Sequence, residues 1–282
     1  MTNLFTAAAA LAIVGATVFA DTASIPASLD NTIIEHPIAE FSNGAGEHFF
    51  AGITNNFEIR RGLIAFDIAS AIPAGSTINS VTLRLRMSRS ISGPSVLAVH
   101  RALAEWGEGA SNAIGNEGSG AVAEPGDATW FHRMLPDLFW TAIGGDFDPD
   151  ASATQSVGFA GFYSWTSATM AADVQQWLDN PAANFGWLIK AQTEGEIRSA
   201  KRFDSRTHPT LANRPVLTVD FTPPVACAGD ANGDGLVNGA DLSVLLAQFG
   251  QSVTPGTDAD FNGDGLVNGA DLSVLLGNFG CP

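Results

Sequence analysis

Basic residues are scarce in this chain of 282 residues, and so is tyrosine. The sequence has 13 Lys and Arg against 29 Asp and Glu, and the resulting net charge of −16 argues against a nucleic-acid partner. The one tyrosine, Tyr163, limits mechanisms in which a tyrosine transfers a proton. The acidic excess is greatest at the C-terminus, because residues 227–282 hold seven Asp and no Lys or Arg.

Long apolar runs are also scarce. The one such run is Leu4 to Ala20, and it ends in Val18-Phe19-Ala20, a small-residue cleavage pattern before Asp21. We therefore predict a signal peptide at 1–20 and a secreted, extracellular or cell-surface protein, although no Lys or Arg precedes the run. The alternative is a retained membrane anchor, for which 17 residues are a marginal length. No later segment is apolar enough to predict a membrane span after signal cleavage.

Catalytic motifs are missing as well. No HExxH segment, nucleophile motif or paired-carboxylate signature is visible, so we predict no catalytic residues. Glycosidase carboxylates need not be close in sequence, so an enzyme stays open as an alternative.

The most informative feature present is a segment written twice. NGDGLVNGADLSVLL runs from Asn232 to Leu246 and again from Asn262 to Leu276, at an offset of 262 − 232 = 30 residues. Together with a preceding aspartate, each copy spaces oxygen side chains as a calcium loop of the EF-hand type does, with glycine at its sixth position. The predicted ligands are Asp230, Asn232, Asp234, Leu236, Asn238 and Asp241 in the first copy, and Asp260, Asn262, Asp264, Leu266, Asn268 and Asp271 in the second, the leucines through their backbone carbonyls.

These loops predict two bound calcium ions. Three carboxylates within twelve residues repel one another without a cation, so the metal is expected to contribute folding free energy as well. The alternative is a pair of solvated, glycine-rich acidic loops.

Each loop is followed by a predicted helix and is not preceded by one. The apolar residues Leu242, Leu245, Leu246 and Phe249, and then Leu272, Leu275, Leu276 and Phe279, are spaced i, i+3, i+4 and i+7. The segments before the loops, at 223–224 and 254–256, contain proline and do not favour helix. A loop with one helix is half an EF-hand, which argues against a sensor that opens two helices.

The two cysteines, Cys227 and Cys281, lie on either side of the repeat pair. We predict a disulfide between them, worth about 4 kcal/mol by chain entropy, which again requires export. Two free thiols are the alternative.

The repeat pair resembles a type I dockerin over Asp230 to Gly280. The resemblance implies a small all-α calcium-binding domain at 227–282 that docks onto a cohesin-like or other surface receptor protein. In the family, loop positions 10 and 11 help to select the cohesin. Here they are Gly239-Ala240 and Gly269-Ala270, which are small and uncharged.

Residues 21–222 are expected to form one mostly β domain, joined to the tail by a linker at 223–226. Val81, Leu83, Leu85 and Met87 alternate with polar residues, as they would in a half-buried strand. Met170, Val174, Trp177 and Leu178 align on one face of a predicted helix. The pattern indicates a β-sandwich or jelly roll with a short helix attached.

This region resembles the DNRLRE-type domain, which is related to family 96 of the carbohydrate-binding modules. The resemblance rests on short segments in order, among them RGLIAFD at 61–67, DVQQW at 173–177, NFGWLIK at 184–190 and RPVL at 214–217. Thr207 stands where the family usually has an acid after Ser-Arg. The resemblance implies a secreted β-sandwich with carbohydrate binding in some members.

Three sets of residues in this domain are candidate sites. Arg198, Lys201, Arg202 and Arg206 could bind an acidic polysaccharide by charge-assisted hydrogen bonds, although ordinary pairing with nearby acids is the alternative. Trp106 and Trp140 are the tryptophans best placed for sugar stacking, whereas core packing is expected for most of the six. Asp146, Asp148 and Asp150 could hold a third calcium ion or form a solvated turn.

Together these features favour a secreted, non-catalytic polysaccharide-binding protein that is attached to a scaffold or cell-surface partner and takes part in polysaccharide degradation. A polysaccharide lyase or glycoside hydrolase carried by a dockerin is one alternative. A structural cell-surface protein is the other.

Overall fold

The computed structural model describes residues 20–195, 197–224 and 227–281. The predicted signal peptide, apart from Ala20, and residues 225 and 226 of the predicted linker lie outside the described residues. The described residues fall into two compact units, one from Ala20 to Pro223 and one from Pro224 onward. No helix among the described residues combines the length and the apolarity that a bilayer crossing needs.

The chain is mostly β, as predicted, and the smaller unit is built on two short helices. In chain order the described elements are β1 Asp21–Ile34, β2 Phe41–Ser42, β3 His48–Ile53, β4 Ile59–Phe66, β5 Thr77–Ser90, β6 Ser95–Arg101, β7 Ala121–Val122, β8 His132–Met134, β9 Leu138–Phe139, β10 Ala153–Val157, β11 Gly161–Trp165, α1 Ala168–Asp179, β12 Trp187–Ala191, β13 Lys201–Asp204, β14 Val216–Thr222, α2 Gly239–Gln248 and α3 Gly269–Gly277.

The larger unit is an antiparallel sandwich of two sheets. In the first sheet, β5 pairs with β11 on one side and with β13 and β14 on the other. β13 also pairs with β3, and β14 also pairs with β1. In the second sheet, the order is β10, β6, β12, β4, β1. β1 belongs to both sheets, because residues 21–26 pair with β14 and residues 27–34 pair mainly with β4. β3 crosses in the same way, from β13 to β4. Such crossing strands form the corners of the sandwich.

The main core lies between these sheets and follows the predicted alternation. The inward positions of β5, which are Val81, Leu83, Leu85 and Met87, are all buried. α1 adds the predicted face of Met170, Val174, Trp177 and Leu178, and the Ser167 side chain caps its N-terminus by accepting from the backbone N–H of Met170. Trp177 packs edge-on against Trp187 at 4.6 Å between ring centroids.

The larger unit contains a buried carboxyl group on β1, the strand that belongs to both sheets. Asp30 is 1% exposed, and its Oδ2 accepts a hydrogen bond from the backbone N–H of Arg206 at 2.6 Å. The Arg206 guanidinium in turn pairs with the carboxylate of Glu108. Burial, the largest effect, and the charge of Glu108 together raise the pKa of Asp30 to about 7, against the lowering effect of the Arg206 contacts.

This raised pKa predicts that Asp30 makes the larger unit less stable as pH rises. Between about pH 4 and pH 7 the folded state keeps a proton that the unfolded state has lost, so the contribution is present at low pH and disappears as pH approaches 7. The slope is at most about 1.4 kcal/mol per pH unit. Asp30→Asn should therefore flatten the decline of unfolding free energy between pH 5 and pH 7.

Tryptophan fluorescence during urea unfolding measures this directly, because all six tryptophans lie in residues 106–187. Asp137→Asn removes an exposed carboxylate and controls for the loss of one charge. If Asp30→Asn and the wild type differ by the same free energy at every pH, the buried carboxyl is not the cause.

Candidate functional site

The first repeat forms a closed loop around the carboxylate of Asp230. Its two oxygens accept hydrogen bonds from the backbone N–H groups of Gly233 at 2.7 Å and Gly235 at 2.9 Å. Gly235 has φ of 85°, in the left-handed region that favours glycine, which explains the glycine at the sixth position. Backbone amides thus turn the chain around the position where a cation would lie.

The other two acidic side chains of this loop converge on the same place. The carboxylates of Asp230, Asp234 and Asp241 each have an oxygen within 4.8 Å of the others. Asn232 donates from Nδ2 to Asp234 at 2.9 Å and so holds that carboxylate in the group. Three anionic oxygens this close, together with amide oxygens, are the donor set that a hard cation such as calcium takes.

Asp241 joins the loop to the helix that follows it. Its Oδ1 accepts from the backbone N–H groups of Ala231 and Asn232, at 3.0 and 3.2 Å, at the beginning of the loop. Its Oδ2 accepts from the backbone N–H of Asn238 at 2.9 Å, which completes a capping box at the start of α2. The shorter aspartate at position 12 therefore serves as loop closure and helix cap at once.

The second repeat has nearly the same contacts. Asp271 accepts from Asn262 and Asn268, and Asp260 accepts from Gly263 and Gly265. Asp260 has two additional contacts, because it also accepts from the backbone N–H groups of Gly256 at 3.1 Å and Asp264 at 3.2 Å. Among the described residues, the carboxylates of this loop do not converge as closely as those of the first.

Backbone hydrogen bonds keep two of these carboxylates charged. Burial by itself would raise the pKa of Asp241, but the N–H groups of Asn238, Asn232 and Ala231 outweigh it and lower the pKa below its ordinary value. The pKa of Asp260 is lowered in the same way by four backbone N–H groups. The anionic form, which binds a cation, is thus favoured by the fold itself.

The two repeats exchange backbone contacts. After α2, Gly250 and Gln251 pair with Val267 of the second loop, at 2.8 and 3.0 Å. After α3, Gly280 and Cys281 pair with Val237 of the first loop, at 2.8 and 3.2 Å. The side chains of both valines are buried in a shared core with Leu245, Ala259 and Leu275. Each loop is therefore supported by the chain that follows the other repeat's helix.

The predicted disulfide is present between Cys227 and Cys281. Their Cα atoms are 6.0 Å apart, within the usual range for a disulfide, and the bond closes a separation of 54 residues. It joins the segment before the first loop to the segment that pairs with Val237.

We expect reduction of this bond to lower the melting temperature of the smaller unit, and most strongly at low calcium, because the disulfide then acts without the metal. The chain-entropy contribution of a loop this long is about 4 kcal/mol at most. Circular dichroism of the wild type and of the Cys227→Ala, Cys281→Ala double variant measures it. Tryptophan fluorescence of the larger unit, which contains neither cysteine, should show an unchanged transition. Equal smaller-unit melting temperatures with and without the bond would contradict the prediction.

The predicted apolar faces of the two helices are only partly used in packing. Leu245 and Leu275 are buried, whereas Leu246 and Phe249, and equally Leu276 and Phe279, are about half exposed. Exposed apolar side chains that lie close together are typical of a surface that contacts another protein.

In the larger unit, the predicted cationic segment is divided by the fold. Lys201 is fully buried, its Nζ donates to Ser90 Oγ and to the carbonyl of Gly93, both at 2.7 Å, and burial lowers its pKa. Arg206 is paired with Glu108. Strand alternation on β13 thus directs Lys201 into the protein, whereas the Arg206 side chain is 35% exposed and its charge is paired with Glu108. The role of these two residues in binding a polysaccharide stays a prediction.

The remaining basic side chains reach the surface, and one has a neighbour that the sequence did not indicate. Arg198 donates from Nε to Asn55 at 2.6 Å. Arg202 lies directly opposite Arg89 in the pairing of β13 with β5. Arg89 and Arg202 line a groove of about 260 Å³. Among the described residues, neither of these two arginines forms an ion pair with an acid.

Trp106 and Trp140 are buried rather than displayed. Their indole N–H groups donate to the backbone carbonyls of Phe185 and Thr129, at 2.8 and 2.9 Å, inside a secondary core. Phe139 is 61% exposed and lines a cleft of about 690 Å³, which Trp106 and Phe185 also border. Trp140, the residue directly after β9, packs inward instead.

The three aspartates proposed for a third calcium ion make other contacts. Asp146 accepts from the backbone N–H groups of Thr141 and Ala142, both at 2.9 Å, and Asp148 lies 3.3 Å from the guanidinium of Arg101. Among the described residues, Asp146, Asp148 and Asp150 do not form a group that converges on one point.

The smaller unit matches a known family. The model of the dockerin type I domain matches residues 228–279. Dockerin domains bind calcium and dock onto cohesins of secreted or cell-surface scaffolds, so the match supports attachment of this protein to such a scaffold. A search of curated proteins returned no match. The resemblance of the larger unit to DNRLRE-type domains stays a prediction.

Proposed function

We propose that this protein is a secreted, non-catalytic polysaccharide-binding protein that a calcium-loaded dockerin unit fastens to a cohesin-bearing scaffold. The observation that carries the proposal is the doubled loop at 228–279, with its converging carboxylates and its match to the dockerin type I domain.

The calcium part assigns one ion to each loop. The holding residues are Asp230, Asn232, Asp234, Asn238 and Asp241 with the carbonyl of Leu236, and Asp260, Asn262, Asp264, Asn268 and Asp271 with the carbonyl of Leu266. A bound ion would neutralise the carboxylates of each loop. The chain itself orients them, since backbone N–H groups already hold Asp230 and Asp260 on the inner side of the turn.

We expect Asp234→Asn and Asp264→Asn each to remove one high-affinity calcium ion. An asparagine can still accept from the backbone N–H of Leu236 or Leu266, which lies at 2.9 Å in both loops, but it lacks the charge. Calorimetric titration should give two ions for the wild type and one for each variant, with affinity at the altered loop at least ten-fold weaker. Asp258→Asn, an exposed aspartate between the loops, is the matched control and should keep both ions. If the wild type binds close to zero calcium ions per chain, the calcium assignment is wrong.

The docking part assigns the cohesin contact to the half-exposed leucine and phenylalanine of each helix. Leu246 on α2 and Phe249 directly after it correspond in the repeat to Leu276 on α3 and Phe279 shortly after it. Because the two copies have the same sequence up to these leucines, each helix presents the same apolar chemistry. Loss of one copy should thus leave a usable surface, and loss of both should not.

Biolayer interferometry against a panel of type I cohesins tests this with full-length protein. We expect binding in calcium, none after chelation, partial retention in Leu246→Ser with Phe249→Ser, and loss when Leu276→Ser and Phe279→Ser are added. Leu211→Ser, an exposed leucine of the larger unit, controls for removal of apolar surface. If the fully substituted variant, still loaded with calcium, binds as the wild type does, the docking face lies elsewhere.

The polysaccharide part is supported by the groove that Arg89 on β5 and Arg202 on β13 line. Arg89 and Arg202 face each other there with no acidic partner among the described residues, on a chain whose net charge is −16. Burial is the main cause that lowers the pKa of Arg202; the charge of Arg89 lowers it as well, whereas the charges of Asp204 and Glu117 oppose this. Two unpaired guanidinium groups in one groove fit carboxylate or sulfate groups of an acidic polysaccharide.

Affinity electrophoresis in alginate, pectin and a neutral glucan separates the alternatives. Arg89→Glu with Arg202→Glu should abolish retardation in the acidic gels, and the wild-type retardation should weaken with salt. Arg84→Glu with Arg86→Glu reverses two charges elsewhere on β5 and is the matched control. If only the neutral gel retards the protein and Phe139→Ala abolishes this, the sugar lies at the Phe139 cleft. Release of sugar products by the wild type would favour the lyase or hydrolase alternative.

A further inference from the structure

In the larger unit, His48 meets an aspartate and a second histidine that are distant from it in sequence. His48 on β3 is directly opposite Asp204 on β13, because these residues are partners in the antiparallel register. His208 follows Asp204 by four residues through a turn in which its backbone N–H donates to the carbonyl of Ser205. One ligand atom from each of the three side chains lies within 4.8 Å of the other two.

The distances within this group are too long for hydrogen bonds. His48 Nε2 lies 3.6 Å from Asp204 Oδ1, and His208 Nε2 lies 3.7 Å from Asp204 Oδ2, whereas N–H···O hydrogen bonds span about 2.7–3.2 Å. They are close to the spacing of ligands around a metal. A tetrahedral ion with bonds of about 2.0–2.1 Å separates its ligand atoms by about 3.4 Å.

Asp204 is also left without a hydrogen bond at one oxygen. The residue is 1% exposed, and its Oδ1 has no hydrogen-bond partner among the described residues. A buried carboxylate oxygen in this state is costly unless a proton or a cation lies next to it. The unpartnered oxygen is the one nearest to His48 Nε2.

Glu117 orients His48 by contacting Nδ1, the ring nitrogen that does not face Asp204. Its Oε1 lies 2.9 Å from His48 Nδ1, and its Oε2 accepts from the backbone N–H of His48 and from Asn43 Nδ2, both at 2.9 Å. With Nδ1 held by a carboxylate, Nε2 is the nitrogen available on the side of Asp204. A carboxylate behind a metal-binding histidine is the arrangement that typically fixes its ring and tautomer.

We propose that His48, Asp204 and His208 bind a zinc ion, with Glu117 as the residue that positions His48. Two imidazoles and a carboxylate suit zinc, whereas calcium takes oxygen ligands alone, so this site and the C-terminal loops select different metals. The ion ties β3 and β13 to the turn after β13. Three protein ligands leave a fourth position for water or a ligand oxygen, and His208 is exposed enough for an ion to enter.

Zinc and cobalt titrations of calcium-saturated, full-length protein test this assignment. Calcium saturation keeps the C-terminal loops filled, and Co²⁺ reports its ligands through its visible absorption. We expect one Zn²⁺ per chain in competition with Co²⁺, a tetrahedral Co²⁺ spectrum, and a higher melting temperature of the larger unit by tryptophan fluorescence when Zn²⁺ is present. His208→Gln should lose the spectrum and the thermal shift.

Two further variants separate metal binding from folding. His36→Gln replaces a histidine of similar partial exposure outside the group, and it should bind as the wild type does. Glu117→Gln should weaken zinc affinity about 10- to 100-fold while a Co²⁺ site still forms at higher concentration. Melting without metal shows whether each variant is folded. The assignment is overturned if Zn²⁺ leaves the wild-type melting temperature unchanged, or if His208→Gln binds Co²⁺ with wild-type affinity and spectrum.

Discussion

The carboxylate of Asp241, and equally that of Asp271, is the contact on which each C-terminal repeat depends. One oxygen accepts backbone N–H groups from the start of the loop, and the other caps the helix that follows. Because a single side chain does both, the loop and the helix cannot shift relative to each other without breaking a buried contact. The same side chain stands at the final ligand position, so a cation there would be linked directly to the position of the helix.

Neither repeat is complete without the other. Val237 and Val267 receive backbone hydrogen bonds from the segment after the opposite helix, and both side chains enter one small core. The Cys227–Cys281 bond holds the first and last parts of this arrangement. This mutual support explains how so small a unit can leave Leu246, Phe249, Leu276 and Phe279 about half exposed instead of burying them.

The larger unit owes its surface chemistry to strands that cross between sheets and to strand alternation. Alternation on β13 directs Lys201 inward and leaves Arg202 at the surface, where register brings it to Arg89. The same register places Asp204 against His48. The arginine groove and the proposed metal group therefore both depend on β13, which pairs with β5 on one side and with β3 on the other.

Local patterns were enough for the parts of this protein whose interactions are local. The repeat, its ligand spacing, the helix starts, the cysteine pairing and the alternation of β5 all depend on residues close in sequence or on an unmistakable symmetry. Sequence alone thus determined a mostly β region followed by a doubled calcium-type loop. It did not determine which basic or aromatic side chains reach solvent. Lys201 and Trp106 have the charge and the ring that a sugar-binding residue needs, yet both are buried. Those outcomes, and the meeting of His48 with Asp204 and His208, were decided by the tertiary structure, because strand register between distant segments sets which side chains face one another.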